Sequence, residues 1–134
     1  SSIEVIGPRS LAGVDVDMRP MSDTFLTLAA IAPFADAPVA IRNIEHTRWQ
    51  ETDRIHAAVT ELRRLGVRVD ERQDGLTVFP SPVTPASVHT YEDHRVAMAL
   101  ALIGLRAPGV EIQNPGCVSK TFPTYFSVLD SIRR

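Results

Sequence analysis

A chain of 134 residues with 44% apolar content is long enough to bury one hydrophobic core and too short for two independent domains. Its formal net charge of −2 and pI of about 6.0 exclude the basic stripe that nucleic acid or an anionic membrane surface requires. One cysteine, Cys117, excludes an intramolecular disulfide framework, and no run has the length of a membrane span or the pattern of a secretory signal, so a cytoplasmic location is expected.

The chain opens Ser1-Ser2 without a methionine, and its first residues read as a strand already under way, the mark of a fragment. Val14 to Met18 alternates as a strand does, and Asp23 to Ala35 reads as a helix with Pro33 in its last turn. Val39 to Ile44 forms the next strand. Ile55, Ala58, Val59, Leu62 and Leu65 share one helical face, and Gly66 ends that helix. Val67 to Val69 and Leu76 to Phe79 pair as a hairpin across Gln73-Asp74-Gly75.

Pro80, Pro82 and Pro85 stiffen the connector that follows. Val88 to Thr90 is a short strand, Asp93 to Leu105 a helix, and Val110 to Gln113 a strand. Pro123 opens a last helix with Tyr125, Phe126, Val128 and Leu129 on its apolar side. The order therefore repeats with an offset of about 71 residues, which lays Val39, Ile41 and Asn43 on Val110, Ile112 and Asn114. One unit covers about residues 11–80 and the other about 86–134. The helices over 23–35 and 93–105 are apolar on nearly every side, as helices surrounded by other elements are.

Arg54 and Arg95 begin helices and Lys120 stands just before one. The helix dipole disfavours a cation there by up to about 1 kcal/mol each, whereas an anion held between cation and free N–H groups reverses that repulsion. Taken singly, each is as well explained by a surface ion pair, and Asp23, Glu51 and Asp93 at neighbouring positions by helix capping. Glu51 also extends the stripe of Ile55 and Ala58, which predicts burial. Equivalent helix ends of repeated units converging on one side would make a pocket for a small polyanion. His89 and His94 with Glu92 and Asp93 share no single face for a metal, and no dinucleotide or P-loop motif is present. Trp49 and Cys117 read as packing residues.

Met21-Ser22-Asp23, Gln50-Glu51-Thr52-Asp53-Arg54, Tyr91-Glu92-Asp93-His94-Arg95-Val96-Ala97-Met98-Ala99 and Lys120-Thr121-Phe122-Pro123 together resemble the 5-enolpyruvylshikimate-3-phosphate synthase family, in family order over nearly the whole chain. The resemblance implies an α+β fold of repeated β-α-β-α-β-β units, an inside-out barrel with helices inside and sheets outside. It makes residues 1–134 a C-terminal fragment, roughly the last third, inactive without the missing N-terminal portion of the same enzyme. The implied reaction moves the enolpyruvyl group of phosphoenolpyruvate to the 5-hydroxyl of shikimate 3-phosphate and releases phosphate, with no metal and no cofactor.

By position the resemblance makes Asp23, Glu51 and Lys120 catalytic, assigns Arg54, Arg95 and Lys120 to phosphoenolpyruvate, and gives His94 an orienting role. Asp23, His46 and Gln50 fall to shikimate 3-phosphate, but His46 and Gln50 stand where the family often has an asparagine and a basic residue. The related transferase acting on UDP-N-acetylglucosamine is one alternative, less favoured by the DHR and KTFP elements. The other is a non-catalytic module that binds phosphorylated metabolites or self-associates.

Overall fold

The computed structural model describes residues 1–133; Arg134, the end of the second unit as drawn from sequence, lies outside the described residues. The first unit comprises β1 (Asp15–Asp17), α1 (Phe25–Ile31), β2 (Val39–Arg42), α2 (Arg54–Arg64), β3 (Val69–Arg72) and β4 (Gly75–Val78). The second runs β5 (Ser87–Val88), α3 (His94–Ala101), β6 (Glu111–Ile112) and α4 (Tyr125–Ile132). Strands β1 and β2 pair in parallel around α1, and β5 and β6 pair in parallel around α3. The β3–β4 hairpin closes the first sheet by antiparallel pairing with β2, in the order β1-β2-β4-β3.

The two crossover helices pack on each other, each backed by a strand of its own unit, so the helices lie between the strand groups. Their composition permits this. Small side chains such as Ala29, Ala30, Ala97 and Ala99 are buried beside Phe25, Leu26, Val96 and Leu100, which lets the helices approach closely. On α2, the stripe Ile55, Ala58, Val59, Leu62 and Leu65 is buried throughout. Each such large aliphatic side chain contributes about 1.5–3 kcal/mol on leaving water. Gly66 ends this helix with φ of +80°, a conformation glycine adopts without steric cost.

The regular elements are shorter than the sequence pattern predicts, because 3-10 turns flank them. One such turn over Arg19–Thr24 precedes α1, and another over Ala32–Phe34 absorbs Pro33. Asn43 and Asn114, equivalent residues of the two units, are both left-handed, with φ of 64° and 49°. Asparagine tolerates that region better than most side chains, and in both units it turns the chain from strand into a 3-10 turn.

The hairpin also departs from expectation. Its turn is Gln73-Asp74, and Gly75 belongs to β4 with no left-handed backbone. Glycine is required there by approach: a Cβ on Gly75 would lie 2.0 Å from the Ile41 carbonyl oxygen of β2. Gly75→Ala therefore disrupts the β2–β4 pairing and costs about 3 kcal/mol in urea denaturation; a loss below about 1 kcal/mol would show that the strands separate freely.

Candidate active site

The junction of the two units is built around Arg54, the first residue of α2. Its side chain is 3% exposed, although it sits at the positive end of a helix dipole. Carboxylates supply the compensation. Asp93, 0% exposed, accepts from Nε at 2.8 Å and from Nη2 at 3.3 Å. The Glu51 carboxylate accepts from Nη2 at 2.7 Å, and Gln50 Oε1 accepts from Nη1 at 2.8 Å. Asp23 faces Nη1 at 3.9 Å.

Asp93 has a second task as the N-cap of α3, accepting from the backbone N–H of Arg95 at 2.9 Å and of Val96 at 3.5 Å. A carboxylate at this point gains from the helix dipole, from capping and from the guanidinium together. The next residue but one, Arg95, is half-exposed and reaches back to Asp23, Nη2 lying 3.6 Å from Oδ2. Two guanidiniums and three carboxylates thus meet where α2, α3 and the turn before α1 converge.

The loop that carries Gln50 and Glu51 is fastened by Arg48. This guanidinium donates to both carboxylate oxygens of Asp53, to Glu71, and to the carbonyls of Gln73 and Arg72. Asp53 in turn caps α2 by accepting from the His56 N–H at 2.9 Å. In the same loop His46 bonds Ser22 Oγ through Nε2 at 2.8 Å, and its Nδ1 is buried without a hydrogen-bond partner.

Several expectations need correction. Glu51 does not extend the buried stripe: it precedes α2 and its side chain is 54% exposed, because the cap at Asp53 starts the helix only at Arg54. Asp23 and Glu51 cap no helix; Thr24 and Asp53 occupy those N-cap positions. Lys120 does not stand at a helix start either. The chain makes further turns through Thr121–Thr124, α4 begins at Tyr125, and Pro123 lies one residue before its N-cap. Lys120 lines a separate open depression with Glu92, Asn114 and Cys117, and makes no hydrogen bond or ion pair among the described residues. His94 is the first residue of α3, partly buried beside Arg95, again without such a bond among the described residues. Asp23, Gln50, Glu51, Arg54 and Arg95 are brought together, with His46 on the adjoining turn.

Sequence reasoning missed Glu61 altogether. Its carboxylate is fully buried on α2 and accepts from Arg64 Nε at 2.9 Å, Tyr91 OH at 2.6 Å and the His89 N–H at 2.8 Å. Burial raises its pKa; the bonds from Arg64, Tyr91 and His89 outweigh that and hold the carboxyl below the ordinary glutamate value. The Tyr91 phenol is pushed up to about 12, by burial first and then by its bond to Glu61. A usable signal existed in the spacing, since Glu61 lies two helical turns after Arg54 and on the same side.

This geometry defines an α+β repeat protein with a charged cluster seated at the junction of its two units. The chain belongs to the EPSP synthase (3-phosphoshikimate 1-carboxyvinyltransferase) family, whose sequence profile matches residues 1–129. It is 60% identical over 124 residues to the 3-phosphoshikimate 1-carboxyvinyltransferase of Nostoc sp., covering 92% of this chain and 29% of that protein. The chloroplastic enzyme of Brassica napus is 46% identical over 134 residues, 99% of this chain and 26% of its own length. The chain therefore spans less than a third of these relatives. A crystallographic neighbour, EPSP synthase from Acinetobacter baumannii, superposes with a TM-score of 0.84 at 24% identity, over 91% of this chain and 30% of that one. It shares the α+β fold. No helix among the described residues is long and apolar enough to cross a membrane.

The two guanidiniums differ in what they hold up. Arg54→Met leaves Asp93 buried without its cation and lowers stability by about 3–5 kcal/mol, whereas Arg95→Ala, losing only a half-exposed pair, changes it by less than about 1 kcal/mol. Equal losses in thermal or urea unfolding would contradict this division. Tyr125 is also raised, by burial. In the folded chain, phenolate absorbance therefore develops above the ordinary tyrosine range and returns to it in denaturant. The raised phenols stabilise the fold fully below the unfolded tyrosine value, and that contribution is lost as pH climbs through the folded ones. Normal titration of both phenols in the native protein would contradict the Glu61–Tyr91 bond.

Proposed function

We propose that this chain carries part of the active site of a 3-phosphoshikimate 1-carboxyvinyltransferase. The reaction joins the 5-hydroxyl oxygen of shikimate 3-phosphate to the central carbon of phosphoenolpyruvate and releases inorganic phosphate. The observation that carries this reading is the meeting of Asp23, Glu51, Arg54 and Arg95 from three separate elements, in a chain of this family.

The chemistry requires a base for the hydroxyl proton, an acid for the vinyl methylene, and cations for a carboxylate and a departing phosphate. Asp23, half-exposed before α1, accepts the hydroxyl proton and holds the ring hydroxyls. Glu51, exposed on one side and bonded to Arg54 on the other, exchanges the proton at the methylene carbon. Arg95 and Arg54 hold phosphoenolpyruvate, and Lys120, in the separate depression beside Glu92, is the further cation of the clamp and assists proton transfer. His94 orients the site, while His46 and Gln50 face the shikimate moiety. The N-terminal portion supplies the opposite wall of the cleft, and the enzyme works in the cytoplasm without metal or organic cofactor.

The shikimate acceptor is favoured over UDP-N-acetylglucosamine by the names of the relatives at 46–60% identity. The test is phosphate release from shikimate 3-phosphate and phosphoenolpyruvate by this chain joined to the upstream portion of the Nostoc sp. relative, with this chain alone as control. Release by the joined protein only is expected; none from a folded joined protein would favour a non-catalytic module. In the active protein, Glu51→Gln lowers kcat by about 100-fold with little change in KM, and Arg95→Ala raises KM for phosphoenolpyruvate about tenfold or more. Wild-type kinetics in either variant would remove that residue from the site.

A further inference from the structure

The approach to α3 contains an unusual conformation. Tyr91 and Glu92 are both left-handed, with φ of 56° and 55°, although neither is glycine. Consecutive residues of this kind persist only where their surroundings hold them. The hold comes from α2. Glu61 accepts from the Tyr91 hydroxyl and the His89 backbone N–H, and Arg64 on the next turn neutralises it. Seven residues earlier on the same helix, Arg54 grips Asp93. Helix α2 is therefore riveted to residues 89–93 at two points, two turns apart, one at His89 and Tyr91 and the other at Asp93, just past the left-handed pair.

We infer that Glu61, acting through Tyr91, is a positioning residue that sets where the α3 N-terminus presents Arg95. The inference rests on the phosphoenolpyruvate role given to Arg95 above. Glu61 itself is fully buried and offers no surface to a substrate. Two left-handed residues aim the chain so that Asp93 meets Arg54 and Arg95 faces Asp23 across the depression between α1 and α3. Without the anchor the segment relaxes toward ordinary backbone angles, and Arg95 moves with it. Errors of about 1 Å in a binding group can cost up to about 100-fold in rate.

The test uses the enzyme formed by joining this chain to the upstream portion of the Nostoc sp. relative. Tyr91→Phe removes one hydroxyl and keeps the ring. It is expected to raise KM for phosphoenolpyruvate about five- to tenfold, with kcat and KM for shikimate 3-phosphate within about twofold. Glu61→Gln has the same signature, more strongly, and adding Tyr91→Phe to it brings little further change because the two side chains act as one unit. An unchanged KM for phosphoenolpyruvate would overturn the inference, as would a uniform loss of kcat and of affinity for both substrates.

Should the unsubstituted joined enzyme release no phosphate, the functional reading fails separately, and amide hydrogen exchange on this chain decides the positioning role. Glu61→Gln is expected to speed exchange at Arg95 and Val96 about tenfold relative to the interior of α2. Equal exchange at those positions would overturn it.

Discussion

Everything at the junction of the two units depends on the buried pair of Arg54 and Asp93. Each residue begins a helix, but the helices view them differently. Asp93 is favoured three ways, by the α3 dipole, by capping two N–H groups and by the guanidinium. Arg54 is opposed by its own helix dipole and by loss of water, and is tolerated only because Asp93, Glu51 and Gln50 meet its donors. Packing of α1 on α3 brings the units together, while this pair sets their register, since sliding either helix by one turn would strand a buried charge.

The same pair explains the tightness of the flanking loops. A buried guanidinium tolerates little error in its acceptors, so the segments supplying them are fastened from outside. Arg48 ties the Gln50–Glu51 loop to the β3–β4 hairpin and to the α2 cap. Glu61 ties down the strained residues before Asp93. Both fasteners are charged side chains with several bonds at once, and each stands outside the cluster it serves. A solvent-exposed version of either pair would contribute at most about 1 kcal/mol and could not hold two consecutive residues left-handed.

What could be read from the sequence follows this distinction. Periodicity located the buried stripe of α2, and the crossover helices announced themselves by being apolar on nearly every side. These are local properties, repeated over several turns. The 3-10 turns were not visible, because three to six residues carry no helical period. Glu51 was misassigned to the stripe because the spacing i−4 from Ile55 has meaning only inside the helix, which Asp53 starts later. Lys120 was placed just before a helix because Pro123 resembles a first helical residue, whereas Pro123 precedes the cap. Burial of Glu61 and Asp93 depends on partners about 30 to 40 residues away, and no window along the chain contains both members.

The charge balance bears on how such a site works. Among the described residues two guanidiniums face three carboxylates, so the cluster by itself has no surplus of positive charge to attract a polyanion. Arg54 already has most of its donors occupied, and it acts first as the structural centre. The more accessible guanidinium is Arg95, half-exposed and paired with a still more exposed Asp23. An arriving anion would compete with Asp23 for Arg95, while Asp23 keeps Arg54 Nη1 at 3.9 Å. That exchange needs the α3 N-terminus held where Arg95 stays accessible, and the buried Arg54–Asp93 pair beside it holds it there.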